Sequence, residues 1–308
     1  MNNMTKLSPI ALFVYNRLWH VQQTLIALQK NELANKSELI IFSDGPKDDN
    51  SKSKVNELRD FLKTINGFKN IVIIENQNNL GLAKSIITGV TRVVNEYGKI
   101  IVLEDDLITS PYFLKFMNNG LNFYENNEEV ISLCGYFYPL KQKLPETFFL
   151  KGADCWGWAT WKRGWNLFEA NGQKLLHELE TQNLTYEFDV SGSYPYTQML
   201  KEQISGKNNS WAIRWQASAF LNKKISLYPG TSLVKNIGHD GSGEHCDLTG
   251  AFEIDFKQNS MPEFSKEIKE NEYVYNILTD FFRSIKVPLY KKIINKIKKI
   301  INKVWSKL

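Results

Sequence analysis

Four short apolar runs dominate the early chain: residues 9–14 (PIALFV), 38–42 (ELIIF), 70–74 (NIVII) and 100–103 (IIVL). Runs this short and this uniformly apolar read as strands buried on both faces of a sheet. Between them, apolar residues recur at helical spacing. Leu25 and Leu28 mark a helix to about residue 31, and Val55, Leu58, Phe61 and Leu62 mark one within 48–62. A third helix opens from the loop Asn78–Lys84 and runs to about Glu96. Strands alternating with helices at this interval predict an α/β fold, a Rossmann-like, mostly parallel sheet flanked by helices. Further along, helices are expected over 112–127, 172–182, 195–204 and 211–222, and strands over 130–134, 225–228 and 232–234.

The fourth run ends in three acids, Glu104, Asp105 and Asp106. Ligands of open α/β sheets gather at the carboxyl ends of strands. Three carboxylates placed there repel one another unless a cation sits among them, and hard oxygen ligands suit Mn²⁺ or Mg²⁺. A solvated, helix-capping turn before Pro111 is the plainer alternative. The first run ends in Tyr15-Asn16-Arg17 and the second in Ser43-Asp44-Gly45-Pro46. In a parallel sheet all these ends share one edge, so Arg17, Asp44 and the acidic triplet are expected to converge. Arginine pairs bidentately with phosphate, and a cation on the acids can hold the same diphosphate. Lys84 is a further candidate for a phosphate. Neither G-x-G-x-x-G nor G-x-x-x-x-G-K-[ST] occurs, which argues against Rossmann dinucleotide binding and P-loop chemistry.

Two later stretches carry polar chemistry. Residues 152–168 hold four tryptophans, Trp156, Trp158, Trp161 and Trp165, interleaved with glycines and Asp154. They read either as core or as rings that stack on the C–H face of a sugar. Residues 238–245 (GHDGSGEH) are polar and glycine-rich, a surface loop or a source of a metal ligand (His239), an acid or base (Asp240), or a hinged lid.

The formal net charge of +5 conceals an asymmetry. Residues 286–308 contain eight lysines and no acid, so the body without them stands at −3. A mildly acidic body argues against nucleic acid as a partner. Within 289–308, apolar residues recur on one helical face while lysines fill the other, and Pro288 stands just before. Such a helix suits the surface of an anionic membrane, with Lys292, Lys296, Lys299 and Trp305 at the contact. No run of 18 apolar residues and no signal-peptide pattern occurs in the chain. Three widely spaced cysteines fit a reducing compartment. The expected location is cytoplasmic, peripheral on the inner leaflet of the cell membrane.

Taken together, these motifs resemble the GT-A nucleotide-sugar glycosyltransferases, in particular the N-acetylglucosaminyltransferase I type and bacterial transferases of capsule and lipopolysaccharide sugars. The likeness rests on Asn16-Arg17, Ser43-Asp44, Glu104-Asp105-Asp106-Leu107, Ser110-Pro111-Tyr112-Phe113 and Gly152–Trp161, and spans about residues 9–245. It implies a hexosyl- or N-acetylhexosaminyltransferase that uses a UDP-sugar and a glycan or lipid-linked glycan acceptor in surface polysaccharide or lipopolysaccharide synthesis. Asp44 would meet the base, Arg17 the diphosphate, Asp106 the metal, and Glu104 and Asp105 the ribose and sugar. The family's catalytic aspartate lies in a Trp-Asp-Asp-Trp stretch. The similar region here, Trp211 to Trp215, has no acid, which leaves Asp154 and Asp240 as candidate bases and Trp156 and Trp158 as acceptor contacts. The implied organisation is a catalytic domain over 1–265, with a donor half at about 1–110 and an acceptor half at about 111–265, and a helical tail over 266–308. The rival functions are a sugar nucleotidyltransferase and a non-catalytic carbohydrate-binding protein on the same fold.

Overall fold

A computed structural model describes residues 7–240, 252–254 and 261–285. The chain runs β1 (Ile10–Val14), α1 (Leu18–Gln29), β2 (Glu38–Ser43), α2 (Asp49–Leu62), β3 (Asn70–Glu75), α3 (Leu82–Tyr97), β4 (Lys99–Glu104) and β5 (Leu107–Thr109). It continues through α4 (Phe113–Phe123), β6 (Val130–Cys134), β7 (Thr147–Lys151), β8 (Trp158–Trp161), α5 (Lys162–Trp165), α6 (Gly172–Thr181) and α7 (Thr185–Phe188). The last described elements are α8 (Tyr196–Ile204), α9 (Trp211–Leu221), β9 (Ile225–Pro229), β10 (Val234–Asn236) and α10 (Glu272–Ile285).

Eight strands form one sheet in the order β3-β2-β1-β4-β8-β6-β9-β7. β1, β2, β3 and β4 are mutually parallel, and β6 is parallel to β9. β8 is antiparallel to both β4 and β6, so β6 and β9 point the same way as the first four strands. Only β8 and β7 run against them. The fold is mixed α/β with a mostly parallel sheet, as the alternation of runs predicts.

The uniform apolarity of the runs has a direct cause. Successive strand residues face opposite sides. Ile10, Leu12 and Val14 pack with α1, α2 and α4, whereas Ala11 and Phe13 pack with α3 and α9. Both faces are covered, so no position of β1 tolerates a polar residue. At the sheet edge β3 alternates between exposed and half-buried positions.

The tryptophan stretch resolves in favour of packing for three of its four rings. Residues 158–161 are β8, inserted between β4 and β6. Trp158 is fully buried, with ring centroids 5.4 Å from Trp211, 5.8 Å from Trp165 and 5.7 Å from Trp215. This corrects the expectation that Trp158 meets an acceptor, because the ring lies inside the α3/α9 layer. Replacing it with alanine opens a large cavity there. Trp158→Ala is expected to cost about 3–5 kcal/mol of stability in a urea titration; a loss below about 1 kcal/mol would contradict this packing.

The described part of the helical tail, up to residue 285, packs on the sheet. Glu270 bridges to Phe149 of β7, and α10 buries Val274, Leu278 and Phe282 against Phe137, Phe148 and Tyr228. α10 is therefore part of the body. The basic segment 289–308, with Lys292, Lys296, Lys299 and Trp305, lies outside the described residues, as does 241–250.

Candidate active site

The carboxyl edge of the parallel strands opens into a cleft of about 840 Å³, within the range of ligand sites. β1 and β4 are neighbours in register, with Phe13 opposite Glu104. Arg17, three residues past β1, and the acidic triplet, which begins with the last residue of β4, therefore lie together in the cleft lining. Arg17 Nε donates to Asp105 Oδ2 at 3.2 Å, and Nη2 bonds both Asp105 Oδ1 and Asp106 Oδ2, the latter at 2.8 Å. Its Nη1 is buried without a hydrogen-bond partner. Thr24 of α1 fixes the turn by donating to the Asp105 carbonyl at 2.8 Å.

Burial alone would lower the Arg17 pKa, but the charges and hydrogen bonds of Asp105 and Asp106 more than reverse this and raise it above the ordinary value. Burial first, and the Asp106 and Asp105 charges second, push Glu104 up to about 8. Burial likewise holds Asp105 above the ordinary carboxylate range, against the opposing pull of Arg17. Folding thus makes Glu104 keep its proton at a higher pH than the unfolded chain, whose value is 4.5. That contribution to stability is complete below the unfolded pKa and is lost as pH rises through the folded one. Without divalent ions, the melting temperature is expected to fall between about pH 5 and pH 8, and Glu104→Gln should flatten the fall. Equal slopes in the two proteins would refute this assignment.

A second loop completes the acidic corner. β10 pairs antiparallel with β5, setting Asn236 opposite Leu107. Ile237 N donates to the Asp106 carbonyl at 2.9 Å, and Gly238 N to Asn236 Oδ1 at 2.7 Å. A Cβ on Gly238 would lie 2.1 Å from Asp106 Oδ2, so only glycine lets this backbone approach the carboxylate. The next residue, His239, lines the cleft with its ring 5.4 Å from Trp156 and 6.1 Å from Phe252. Among the described residues neither of its buried ring nitrogens has a partner, an arrangement that folded proteins avoid unless a ligand or water supplies the bond.

At the other end, Asp44 reaches the cleft but its carboxylate is already engaged. It accepts from the backbone N–H of Gly45, Leu80 and Gly81 and from Asn76 Nδ2, all within 3.2 Å. Asp44 thereby shapes the loop 76–81 that rims the cleft. Lys84 is exposed and does not line the cleft; Lys47 does.

Asp154, also in the cleft lining, follows β7 and accepts from Cys155 N at 2.6 Å. Burial raises its pKa. Around it stand Tyr136, Tyr138, Trp156, Tyr194 and Tyr196. Asp240 is placed differently: its exposed carboxylate lies 3.1 Å from His20 Nε2 on α1, and it is not among the cleft-lining residues. The first turn of α9 also faces the cleft with Trp211, Ala212 and Ile213. Glu202 of α8 is a further carboxylate on this wall, bonded by Gln198 Nε2 at 2.9 Å. No local pattern marks it in the sequence.

Residues 10–149 match the family model Glycosyl transferase family 2. The match takes in Arg17, Asp44 and the acidic triplet and ends before Asp154. With the sheet order and the placement of the triplet, the architecture is that of the GT-A fold. Similar solved structures include the mannosyltransferase PcManGT from Pyrobaculum calidifontis in complex with GDP-Man and Mn²⁺, at 12% identity and TM-score 0.32, over 43% of this chain and 36% of that one. S. aureus TarS is similar at 14% identity and TM-score 0.33, over 48% of this chain and 24% of that one. TarS 1–349 in complex with UDP-GlcNAc gives 14% and 0.33, over 48% and 39%. The chain thus spans well under half the length of these neighbours. No curated protein matches the sequence. The N-acetylglucosaminyltransferase I likeness stays a likeness of motifs.

Proposed function

We propose that this protein is a glycosyltransferase that moves a sugar from a nucleoside diphosphate to an acceptor hydroxyl with the help of a divalent cation. The observation that carries the reading is the acidic corner: Arg17, with one unpaired guanidinium nitrogen, beside Asp105 and Asp106 on the wall of a large cleft. The segment that builds this corner is the one that matches the family.

The residues present fit the implied Mn²⁺ or Mg²⁺. Such ions take one or two carboxylates plus substrate phosphates rather than an all-protein cage, and among the described residues no group of three acidic, histidine or cysteine side chains forms a cage. Asp106 would hold the ion, with His239 as the adjacent nitrogen donor. When bound, the ion supplies Lewis-acid stabilisation of the departing diphosphate. Arg17 binds diphosphate oxygens through its free nitrogen. Asp44 acts on the donor by holding the loop 76–81 in shape. Glu104 and Asp105 stand nearest the ribose and sugar. Trp156, whose ring adjoins His239, stacks on an acceptor sugar. The acceptor oxygen bonds to the anomeric carbon as that carbon's bond to the diphosphate breaks, and Asp154 takes the acceptor's proton.

The test is a thermal-shift panel of nucleotide sugars with and without Mn²⁺, followed by product analysis with glycan and lipid-linked glycan acceptors. One UDP- or GDP-sugar is expected to stabilise the protein only when Mn²⁺ is present, and to be consumed on adding acceptor. Stabilisation without turnover for any acceptor would favour the carbohydrate-binding alternative. Release of pyrophosphate from a sugar phosphate and a nucleoside triphosphate would favour the nucleotidyltransferase.

The basic segment 289–308 supports a peripheral site of action on the cytoplasmic leaflet, in surface polysaccharide or lipopolysaccharide synthesis. It follows α10, whose Phe282 packs on Tyr138 and Tyr194 of the acceptor wall, with ring centroids 4.9 and 4.5 Å apart. A membrane-seated tail would present that wall to a lipid-borne acceptor. Truncation after Val287 is expected to release the protein from anionic liposomes and leave its melting temperature unchanged. Equal binding by the truncated chain would end the membrane reading.

A further inference from the structure

We propose that Arg17 is a resident counter-cation for the Asp105–Asp106 pair, and that this makes a divalent cation and a diphosphate bind as a unit, each weakly without the other. The inference rests on the nucleotide-sugar reading above and adds a device that selects the donor's chemical class.

Arg17 already neutralises the acidic pair. One guanidinium spans both carboxylates through Nε and Nη2. The side chains are 17% exposed for Arg17, 8% for Asp105 and 10% for Asp106, so water screens the trio little. A divalent cation arriving alone on Asp106 would meet a positive charge at bonding distance from the same oxygen. Arginine cannot relieve this by losing a proton. It has to move off the carboxylates, and in the empty cleft it would then be a buried charge with no counter-ion.

A diphosphate changes that balance. The unpaired Nη1 shows that Arg17 has donor capacity left on the cleft wall. A guanidinium released from Asp105 and Asp106 would pair bidentately with one phosphate, leaving Asp106 and the other phosphate as the groups that would hold the cation. The exchange conserves ion pairs only when both ligands arrive. The coupling is therefore positive, and by linkage each ligand strengthens the other by the same factor. Two adjoining phosphates are needed, one for Arg17 and one for the cation. The site then favours nucleoside-diphosphate donors over monophosphate-linked ones.

The test is Mn²⁺ binding to the full chain, read from the paramagnetic resonance of free Mn²⁺. It is measured alone and with UDP, GDP, UMP or GMP, in wild type, Arg17→Gln and Arg17→Ala. In wild type, UDP or GDP should tighten Mn²⁺ binding at least tenfold and the monophosphates should not. In Arg17→Gln, Mn²⁺ alone should bind at least tenfold tighter than in wild type, and the effect of UDP or GDP should shrink towards none. A folded Arg17→Gln protein that binds Mn²⁺ alone no better than wild type overturns the proposal. If a variant is unstable without cations, Mn²⁺ alone must raise its melting temperature more than that of wild type; no such difference also overturns it. Mn²⁺ binding with no Arg17 effect removes the counter-cation and leaves the glycosyltransferase reading standing. Absence of Mn²⁺ binding in every protein and condition removes the metal-dependent reading as well.

Discussion

Replacing Asp106 by asparagine is expected to lower kcat/KM by about 10³-fold or more, the order that follows when a charge clamp on a leaving group is lost. Asparagine keeps the volume and the carbonyl oxygen that faces Gly238, so the loop after β10 stays in place. The negative charge is what disappears. Arg17 retains Asp105 as a partner and the body stays folded. The measurement is steady-state transfer together with Mn²⁺-dependent nucleotide binding, which is expected to fall with it. Near-wild-type activity in a folded Asp106→Asn protein would remove Asp106 from the metal site. A glycine test complements it: a Cβ at Gly238 would meet the Asp106 carboxylate at 2.1 Å, so Gly238→Ala should reproduce much of the loss without touching an acid.

Asp154→Asn is the second large effect, a fall in kcat of about 10²–10⁴-fold, the range set by removing a general base. Donor KM should hardly change, because Arg17 pairs with Asp105 and Asp106 and not with Asp154, which stands among tyrosines and Trp156. Burial raises its pKa and keeps it a better proton acceptor than an exposed aspartate. Two neighbours serve as controls. Glu202→Gln changes the other carboxylate of the acceptor wall, and Asp240→Asn changes the exposed partner of His20. If either variant loses kcat as Asp154→Asn is expected to, while Asp154→Asn does not, the base has been misassigned.

The readable part of the fold was the set of apolar runs, most of them uniformly buried and one, β3, exposed to half-buried at the sheet edge. β1, β2, β3, β4, β6 and β9 lie within a residue or two of the apolar runs that announce them. A strand covered on both faces leaves an unbroken hydrophobic signature. The long helices were equally legible from their spacing. β8 was not, because its tryptophans and the preceding Gly157 fit a loop as well as a strand. Its pairing with β4 and β6 joins residues some tens of positions apart, and no local pattern encodes that. β7 and the covering role of α10 were hidden for the same reason.

Within the site, the division follows the range of the forces involved. The sequence by itself determined that Arg17, Asp44 and the acidic triplet share one edge, since parallel strands carry their carboxyl ends to the same side. It also determined that the body is acidic and the last residues basic. Only the tertiary structure decided which side chains face the cleft and what holds them. Lys47 lines the cleft and Lys84 does not, and Trp158 enters the core while Trp156 stays at the wall. Asp44 is spent on backbone donors, and Arg17 bridges two aspartates rather than standing free. Strand direction follows from local hydrophobic patterning, which neighbouring residues write into the chain. Side-chain partnership depends on burial and charge contributed by segments far apart in sequence, and it exists only once those segments have packed.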